Sequence, residues 1–403
     1  MPSTSSAHAH QEPGFLTGIS LLLPITLSTM AIVLLAPILP QMIEEFRTVP
    51  NYEYWVPMVL TFPALCIALL SPVAGILGDY YGRRRILLAS FVGYAAFGIA
   101  PIFLSDLTWI LATRVGVGVF EALIMVLTTT MIGDYFKGDR RDRWLAAQTA
   151  TASISALIFF NLGGQLGAFG WRTPFWVYLS AFAMMALVIL FTWEPKEDNP
   201  NAEAAEAPHN ASWDRFPWAR FIPVLVATIY SSVFFYTVQI QASVGLDQLG
   251  MTNPARIGFF TSVASIGVPL GTLIYSRLTG RNPVMLLMVE LVMLATGFSI
   301  MALAQSPTSF LIGCFINQLG AGMLLPTLLV WAMSQLDFEV RGRGAGLWQG
   351  SLALGQFLCP VVVTFLSKNF SGLFSAFLAL GIAAAVGALV AMVSIPLLRA
   401  KEV

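Results

Sequence analysis

The sequence alternates between long apolar stretches and short segments that hold nearly all of the charged residues. About 20 apolar residues in a helix cross the hydrocarbon core of a bilayer. The stretches long enough to do so, numbered in chain order as helices 1 to 12, are 13–43, 54–78, 86–105, 107–133, 144–171, 173–193, 221–246, 257–276, two within 291–336, 344–367 and 369–398. Only the fourth stretch is interrupted by charges, at Arg114 and Glu121. The pattern predicts an all-α membrane protein with twelve transmembrane helices.

Composition excludes a soluble protein. Of the 403 residues, 57% are apolar and 10% are charged, whereas soluble domains carry about 25% charged residues. The 21 acidic and 21 basic residues cancel, so no overall charge attracts nucleic acid. A lipid bilayer is therefore the expected partner, and a nucleic acid is not.

The apolar segments lack the residue clusters that an intramembrane enzyme would need. An intramembrane enzyme needs clustered histidine, cysteine or acidic residues, but His8, His10 and His209 all fall in polar segments. The sequence also has no phosphate-binding loop of the kind that would indicate ATP as an energy source. We therefore expect no enzymatic activity, no cofactor and no bound metal.

The basic residues predict the orientation in the membrane. Lysine and arginine in short loops remain on the cytoplasmic side. With both termini cytoplasmic, the inner loops hold sixteen of the 21 basic residues and the outer loops hold four. An odd number of helices would scramble this distribution, so twelve helices with both termini inside is the predicted topology.

The chain divides into two matching halves. Residues 194–217 are polar and rich in proline, alanine and glutamate, a composition that neither inserts into a membrane nor folds alone. We expect a cytoplasmic tail at 1–14, a six-helix bundle at 15–193, a cytoplasmic linker at 194–217, a second bundle at 218–398 and a tail at 399–403. The segment Arg141–Arg143 before helix 5 recurs 200 residues later before helix 11. Such an internal repeat is typical of duplicated transporter folds.

The loop between helices 2 and 3 carries the most specific motif. It reads GILGDYYGRRR from Gly75 to Arg85. A glycine in the last helical turn allows close helix packing, and a glycine in a short loop permits a tight reversal. The aspartate can cap a neighbouring helix or pair with an arginine.

This string resembles the signature loop of the major facilitator superfamily, G-x-L-x-D-x-x-G-R-[KR]-x. The chain length, the twelve helices, the central linker and the half-repeat agree with the same family. In that family the loop latches the two halves together on the cytoplasmic side, and helices 1, 4, 7 and 10 line the central cavity. The resemblance assigns the gating role to Gly75, Asp79, Gly82, Arg83 and Arg84.

Two charged residues interrupt helix 4. Arg114 and Glu121 are seven residues apart, which places them on one helix face about 10 Å apart along the axis. Charges inside a membrane usually face a cavity or a partner. A structural ion pair, or an arginine that reaches to the membrane surface, is the alternative. The string Arg114–Gly118 also resembles the family's R-x-x-x-G motif in helix 4, which associates the arginine with proton coupling.

Prolines and glycines favour one branch of the family. Pro37 and Pro40 in helix 1 resemble an element of twelve-helix drug:proton antiporters, although two prolines can simply end a helix. That branch usually carries a glycine-rich motif in helix 5, which is largely absent here. Helix 11 has Gly346, Gly355 and Pro360 at the same spacing, and these three residues, together with Pro37 and Pro40, are expected to serve helix packing.

Polar residues inside the helices are candidates for contact with a substrate. Each could equally form an ordinary hydrogen bond between helices. The candidate cavity residues are Thr26, Thr29, Gly118, Ser232, Tyr236, Gln239, Asn317, Gln318, Gln349 and Gln356. Glu290 is the other acidic residue inside a helix, and a supporting hydrogen bond or a second proton site are both open for it.

The resemblance implies a transporter that moves a small organic or amphipathic molecule by alternating access. We expect export in exchange for protons, with Glu121 and Arg114 coupling the two, by a monomer in a bacterial inner membrane. Proton-coupled uptake on the same fold is the first alternative. A membrane sensor or scaffold that does not transport is the second, and it should tolerate the loss of Glu121.

Overall fold

The computed structural model describes residues 13–194, 216–337 and 340–399. Within them it confirms an all-α protein with twelve helices that are long and apolar enough to cross a membrane. In chain order helices 1 to 12 are Phe15–Glu45, Tyr52–Tyr81, Arg83–Phe103, Leu107–Tyr135, Gly138–Gly167, Thr173–Phe191, Trp218–Gln248, Pro254–Arg277, Pro283–Ala302, Pro307–Ser334, Arg343–Asn369 and Leu373–Val393. Most of the predicted linker and the outermost parts of both tails lie outside the described residues.

The helices form two bundles with the same internal arrangement. In the N-terminal half, helix 1 packs on helix 5, helix 2 on helix 4, and helix 3 on helices 4 and 6. In the C-terminal half, helix 7 packs on helix 11, helix 8 on helix 10, and helix 9 on helices 10 and 12. Each contact in one half thus has its counterpart six helices later, as the sequence repeat predicts.

Because successive helices run in opposite directions, the bundle has two ends. The end where helix 1 begins and helix 12 finishes also holds the loop between helices 2 and 3, and we name it the terminal face. The other end, which holds the loop between helices 1 and 2, is named the opposite face. The even number of helices in the described part of the chain places the start of helix 1 and the end of helix 12 on the terminal face.

Glycines bring the two halves into contact at the opposite face. Gly164, near the end of helix 5, lies against Gly258 at the start of helix 8. A Cβ atom on Gly164 would lie 2.4 Å from the carbonyl oxygen of Pro254, and one on Gly258 would lie 2.3 Å from that of Phe160. Backbones this close leave no room for a side chain, so the halves are sealed together at this point.

Helices 2 and 11 form the second contact between the halves. The hydroxyl of Thr364 donates a 3.0 Å hydrogen bond to the backbone carbonyl of Glu53, and Lys368 Nζ lies 3.3 Å from the Glu53 carboxylate. Phe62 and Phe357 meet edge to face further along the same helices. Glu53 begins helix 2 and Lys368 ends helix 11, so this contact also closes the opposite face.

Two helices are interrupted along their length. Helix 1 breaks near Pro24 and again at a 3₁₀ turn, Ala36–Ile38, which contains Pro37. Helix 8 consists of the segments Pro254–Ser265 and Gly267–Arg277. A proline lacks the N–H group of a helical hydrogen bond, which explains the breaks in helix 1.

The start of helix 9 lies earlier than the charge pattern predicts. The helix begins at Pro283, where Asn282 accepts hydrogen bonds from the N–H groups of Val284 and Met285. The uncharged stretch starts only at residue 291 because Glu290 breaks it, although Glu290 itself was expected inside a helix. The structure places Glu290 buried within helix 9, as expected.

The contact between Gly258 and helix 5 generates a test of the seal. Replacing Gly258 with leucine should destabilise the described conformation by about 1–3 kcal/mol, because the added atoms overpack a backbone contact. Thermal unfolding of the purified protein in detergent measures the effect. Gly346→Leu is the matched control, since a Cβ atom at Gly346 meets nothing within 4 Å. Equal unfolding temperatures for the two variants would contradict a close backbone contact between the halves at Gly258.

Candidate functional site

Helix 4 carries both charged residues of the predicted coupling site. Asp106 starts the helix by accepting hydrogen bonds from the backbone N–H groups of Thr108, at 2.7 Å, and Trp109, at 3.3 Å. These bonds favour the charged carboxylate and hold the pKa of Asp106 below its usual range. Glu121 is the midpoint of the helix, 14 residues from Leu107 and 14 from Tyr135.

Arg114 is fully buried between helices 3, 4 and 6. Its guanidinium donates hydrogen bonds to the carbonyls of Phe97, at 2.9 Å, and Gly98, at 3.2 Å, and to the Tyr178 hydroxyl at 3.1 Å. It also lies 5.2 Å from the ring centres of Phe175 and Tyr178. The two carbonyls lie in the last turn of the α-helical part of helix 3, which ends at Ile99, and the helix dipole there favours a positive charge.

Arg114 therefore has a different environment from the one its spacing suggests. Among the described residues, no carboxylate oxygen lies within 4.0 Å of it, so it forms neither an ion pair with Glu121 nor a contact with the membrane surface. Its hydrogen bonds tie helix 4 to helices 3 and 6. The sequence could not indicate the partners in other helices, because Tyr178 is 64 positions away and the acceptors in helix 3 are backbone groups. The guanidinium also donates to the hydroxyl of its neighbour Thr113 at 3.4 Å.

Glu121 occupies the place where the two halves face each other. It is only 2% exposed, and no described residue forms a hydrogen bond with its Oε2 atom. Ser28 of helix 1, Cys66 of helix 2 and Tyr236 of helix 7 are close enough to interact electrostatically with its carboxyl group. Glu121 is thus a buried acid with an unfilled bonding position, bordered by both halves.

The predicted residues of helix 7 share this environment in part. Tyr236 lies near Glu121, and Ser232 and Gln239 are buried on the same helix. Ser232 also forms the packing surface for Gly355, where a Cβ atom would lie 2.4 Å from the serine Cβ. Helix 7 therefore supplies one polar neighbour to Glu121 and uses another for contact with helix 11.

The candidates in helix 1 donate to backbone carbonyls, and those in helix 11 are buried or partly exposed. Thr29 donates to the carbonyl of Ala152 in helix 5 at 3.5 Å, and Thr26 bonds to its own helix at Leu23. On helix 11, Gln356 is 8% exposed and Gln349 is partly exposed.

Asn317, Gln318 and Gly118 lie in helix contacts. The side-chain amide of Gln318 donates to the carbonyl of Phe235 at 3.5 Å and to Asn317 at 3.4 Å, and both residues are fully buried in the C-terminal half. At Gly118 a Cβ atom would lie 2.6 Å from Cα of Pro63. Gly118 was predicted to line the cavity, but it serves the packing of helix 4 on helix 2.

The gating loop forms a cluster of charges at the terminal face. The guanidinium of Arg83 lies between two carboxylates: Asp79, at 2.7 Å, and Asp134 at the end of helix 4. A planar guanidinium can bind two carboxylates at once. The sequence motif predicted Arg83 and Asp79, whereas Asp134 was missed because it lies 51 residues from its partner.

Arg84 and Gly82 fix the junction between helices 3 and 6. The Arg84 guanidinium donates to the carbonyl of Ile189 at 3.0 Å, and its backbone N–H donates to Glu194 at 3.2 Å. Gly82 has a φ of 92°, and a Cβ atom there would lie 3.1 Å from Oε1 of Glu194. Glycine is therefore required at this turn for its conformation and for the approach of Glu194.

The predicted packing residues divide into those that pack and those that do not. Gly355 and Pro360 are buried in helix 11, but Gly346 meets nothing within 4 Å, which corrects its assignment to helix packing. Pro37 and Pro40 line a cavity of about 340 Å³ at the opposite face. Helical spacing alone could not separate these cases.

The glycine that brings the gating loop close to helix 4 is one that the sequence motif did not select. Gly75 has its nearest neighbour, Val126, at 4.0 Å from an added Cβ atom. At Gly78 the same atom would lie 2.3 Å from Leu127. The close approach predicted at Gly75 therefore occurs one turn later.

Comparison with known proteins identifies what the chain resembles. A family model described as the Major Facilitator Superfamily matches residues 21–349. The tetracycline resistance protein, class C, of Escherichia coli is 26% identical over 395 residues, which cover 93% of this chain and 94% of that protein. The MFS-type transporter YceJ of Bacillus subtilis is 26% identical over 83% of this chain and 85% of its own length.

A solved structure shares the fold. The crystal structure of a bacterial homologue of the human lysosomal transporter Spinster, in an inward-facing and occupied conformation, matches with a TM-score of 0.76. The match covers 93% of this chain and 96% of that one at 15% identity. At this identity the likeness shows the fold alone.

The buried contacts of Arg114 predict a large stability effect. Arg114→Met preserves most of the side-chain volume but leaves the buried carbonyls without a donor, which should cost about 1–3 kcal/mol for each one. Unfolding of the purified protein in detergent measures the loss. Arg47→Met, at a side chain that is 68% exposed, should change stability by about 0.5 kcal/mol or less. A wild-type stability for Arg114→Met would contradict the structural role.

Proposed function

Because this chain belongs to the Major Facilitator Superfamily, we propose that it exports a small organic or amphipathic compound in exchange for protons, by alternating access. The observation that carries the proposal is Glu121, a buried carboxyl group midway along helix 4 with one oxygen that lacks a bonding partner. The similarity to a tetracycline resistance protein supports a small-molecule substrate and movement out of the cell.

Competition for Glu121 would couple the two movements. A buried carboxylate without a cation is costly, so the group must hold a proton or meet a positive or hydrogen-bonding partner. Arg114 cannot supply that partner while it is bound to the end of helix 3. A substrate with a cationic or hydrogen-bonding group can do so, and it then displaces the proton. Proton and substrate thereby occupy the same site in turn.

The closed opposite face gives the direction of opening. The halves touch at Gly164 and Gly258 and at Glu53 and Lys368, all near that face. With the terminal face in the cytoplasm, as the basic loops predict, this is the conformation that receives substrate from inside. Glu121 binds its proton in the other conformation, in which the opposite face is open.

The gating loop stabilises one of these two conformations. In the structure, Arg83 is held by Asp79 and Asp134 inside the N-terminal half. When the terminal face closes, the start of helix 11 approaches this loop, and the same charges latch the halves together. The latch thus favours the conformation that opens outward.

The setting that fits this cycle is a bacterial inner membrane, with both termini in the cytoplasm and the segment 194–217 as a cytoplasmic linker between bundles. Each half has its own set of helix contacts, and both borders of Glu121 come from one chain. A monomer is therefore sufficient for transport.

Glu121→Gln tests the proposed coupling. Glutamine keeps the size and hydrogen-bonding ability of the side chain but cannot release a proton, so export should fall to the level of cells without the protein. The measurement is intracellular accumulation of a compound panel, with and without a proton uncoupler, in cells that lack their own exporters. Glu44→Gln, at a side chain 74% exposed, is the control.

The outcomes of this experiment separate the alternatives. Export requires that the wild type lowers accumulation, and that both the uncoupler and Glu121→Gln abolish this effect. Higher accumulation in the wild type would establish uptake. An unchanged phenotype in Glu121→Gln would remove Glu121 from the coupling mechanism.

Asp134→Asn tests the charge cluster of the gating loop. The substitution weakens the attraction for Arg83 while it preserves the side-chain shape, so export should decrease at unchanged protein abundance. Asp142→Asn removes an acid that is 64% exposed and paired with its neighbour Arg141, and it should transport as the wild type does. Equal transport by both variants would exclude Asp134 from gating.

A further inference from the structure

A second buried acid lies outside the site described above. Glu290 is fully buried in helix 9, whose other residues from Pro283 to Ala302 carry no charge. An acidic group inside a membrane is costly and is usually functional or paired. Among the described residues, no basic side chain lies within 4.0 Å of it.

The contacts around Glu290 fit a protonated carboxyl group. The hydroxyl oxygen of Thr327 in helix 10 lies 2.5 Å from Glu290 Oε1 and 3.1 Å from the carbonyl of Met323. A hydroxyl group has one hydrogen to donate. Both contacts are hydrogen bonds if the Thr327 hydroxyl donates its hydrogen to the Met323 carbonyl and accepts a hydrogen from the protonated carboxyl group of Glu290.

The charged alternative leaves the site unsatisfied. An ionised Glu290 would keep an oxygen, Oε2, to which no described residue donates a hydrogen bond. Burying an unpaired carboxylate costs far more than burying the neutral acid. Tyr275 of helix 8 is close enough to sense this charge, and its hydroxyl cannot neutralise it.

Helix 8 connects this acid to the contact between the halves. Its first segment, Pro254–Ser265, packs on helix 5 through Gly258, and its second segment, Gly267–Arg277, ends beside Glu290 at Tyr275. The second segment touches helix 10 so closely that a Cβ atom on Gly271 would lie 2.1 Å from the carbonyl of Leu319. A movement between the halves therefore reaches the surroundings of Glu290 through one helix.

We propose that Glu290 is a second proton-binding site, which takes up a proton while the opposite face is open and, once helix 8 has closed that face, holds the proton until it is released on the terminal side. The proton passes from the carboxyl oxygen to water at the terminal face. Glu290 is seven residues from the start of helix 9, a depth of about 10 Å. The proposal rests on the proton exchange proposed above, and it adds a proton carried by the C-terminal half.

Infrared spectroscopy of the purified protein tests the proton directly. At neutral pH, the wild type should show the carbonyl band of a protonated carboxylic acid that is absent in Glu290→Gln and present in Glu121→Gln. Thr327→Val should shift the frequency of this band, because it removes the acceptor of the hydrogen bond. An unchanged spectrum in Glu290→Gln would overturn the proposal, and Thr327→Val keeps the test valid if the glutamine variant fails to fold.

Transport of ethidium in inverted membrane vesicles tests release of the proton. Glu290→Gln should lose accumulation driven by a pH gradient but keep the exchange of labelled for unlabelled ethidium, which needs no net proton movement. Loss of both activities, or of neither, would contradict a proton-releasing role. A wild type that exchanges ethidium without responding to the pH gradient would instead refute the proposed proton coupling as a whole.

Discussion

A carboxyl group at the middle of a membrane-spanning helix cannot stay charged without a partner, and this constraint on Glu121 organises the proposed cycle. Helix 4 places it 14 residues from either end, and residues of helices 1, 2 and 7 lie close enough to interact with its charge. The one buried arginine on the same helix is bound elsewhere, so the charge balance of Glu121 is left to a proton or to a substrate. Because Glu121 must always hold either a proton or a substrate, binding of one displaces the other.

In the proposed cycle, close backbone packing couples the exchange of proton and substrate at Glu121 to a conformational change between the two halves. The seal at the opposite face depends on glycines in helices 5 and 8, whose backbones approach too closely for any side chain. Such contacts are either fully made or broken, because packed interfaces do not deform gradually. The charge cluster of the gating loop lies at the other end of the molecule. The glycine contact and the charge cluster act at opposite faces of the molecule. A transporter that opens to one side at a time requires this arrangement.

The sequence predicted the parts of this arrangement that depend on local chemistry. Apolar length predicts the twelve helices, which the structure confirms. The orientation predicted from the basic loops and the gating role predicted from the string Gly75 to Arg85 stay predictions. Sequence patterns could not predict contacts between residues that are far apart in the chain. Arg114 binds backbone carbonyls of helix 3, and Arg83 binds Asp134, which no motif connects to it. Helical spacing could not show that Gly355 packs while Gly346 does not, and the charge of Glu290 concealed the start of helix 9.

The central claim is that one proton leaves Glu121 when a substrate arrives. Purified protein in liposomes that enclose a pH-sensitive dye measures this directly, with ethidium added outside to drive its entry. Exchange predicts that the interior becomes more alkaline as ethidium enters, and that Glu121→Gln shows no change of pH. An interior that becomes more acidic, or a response in Glu121→Gln equal to that of the wild type, would contradict the account.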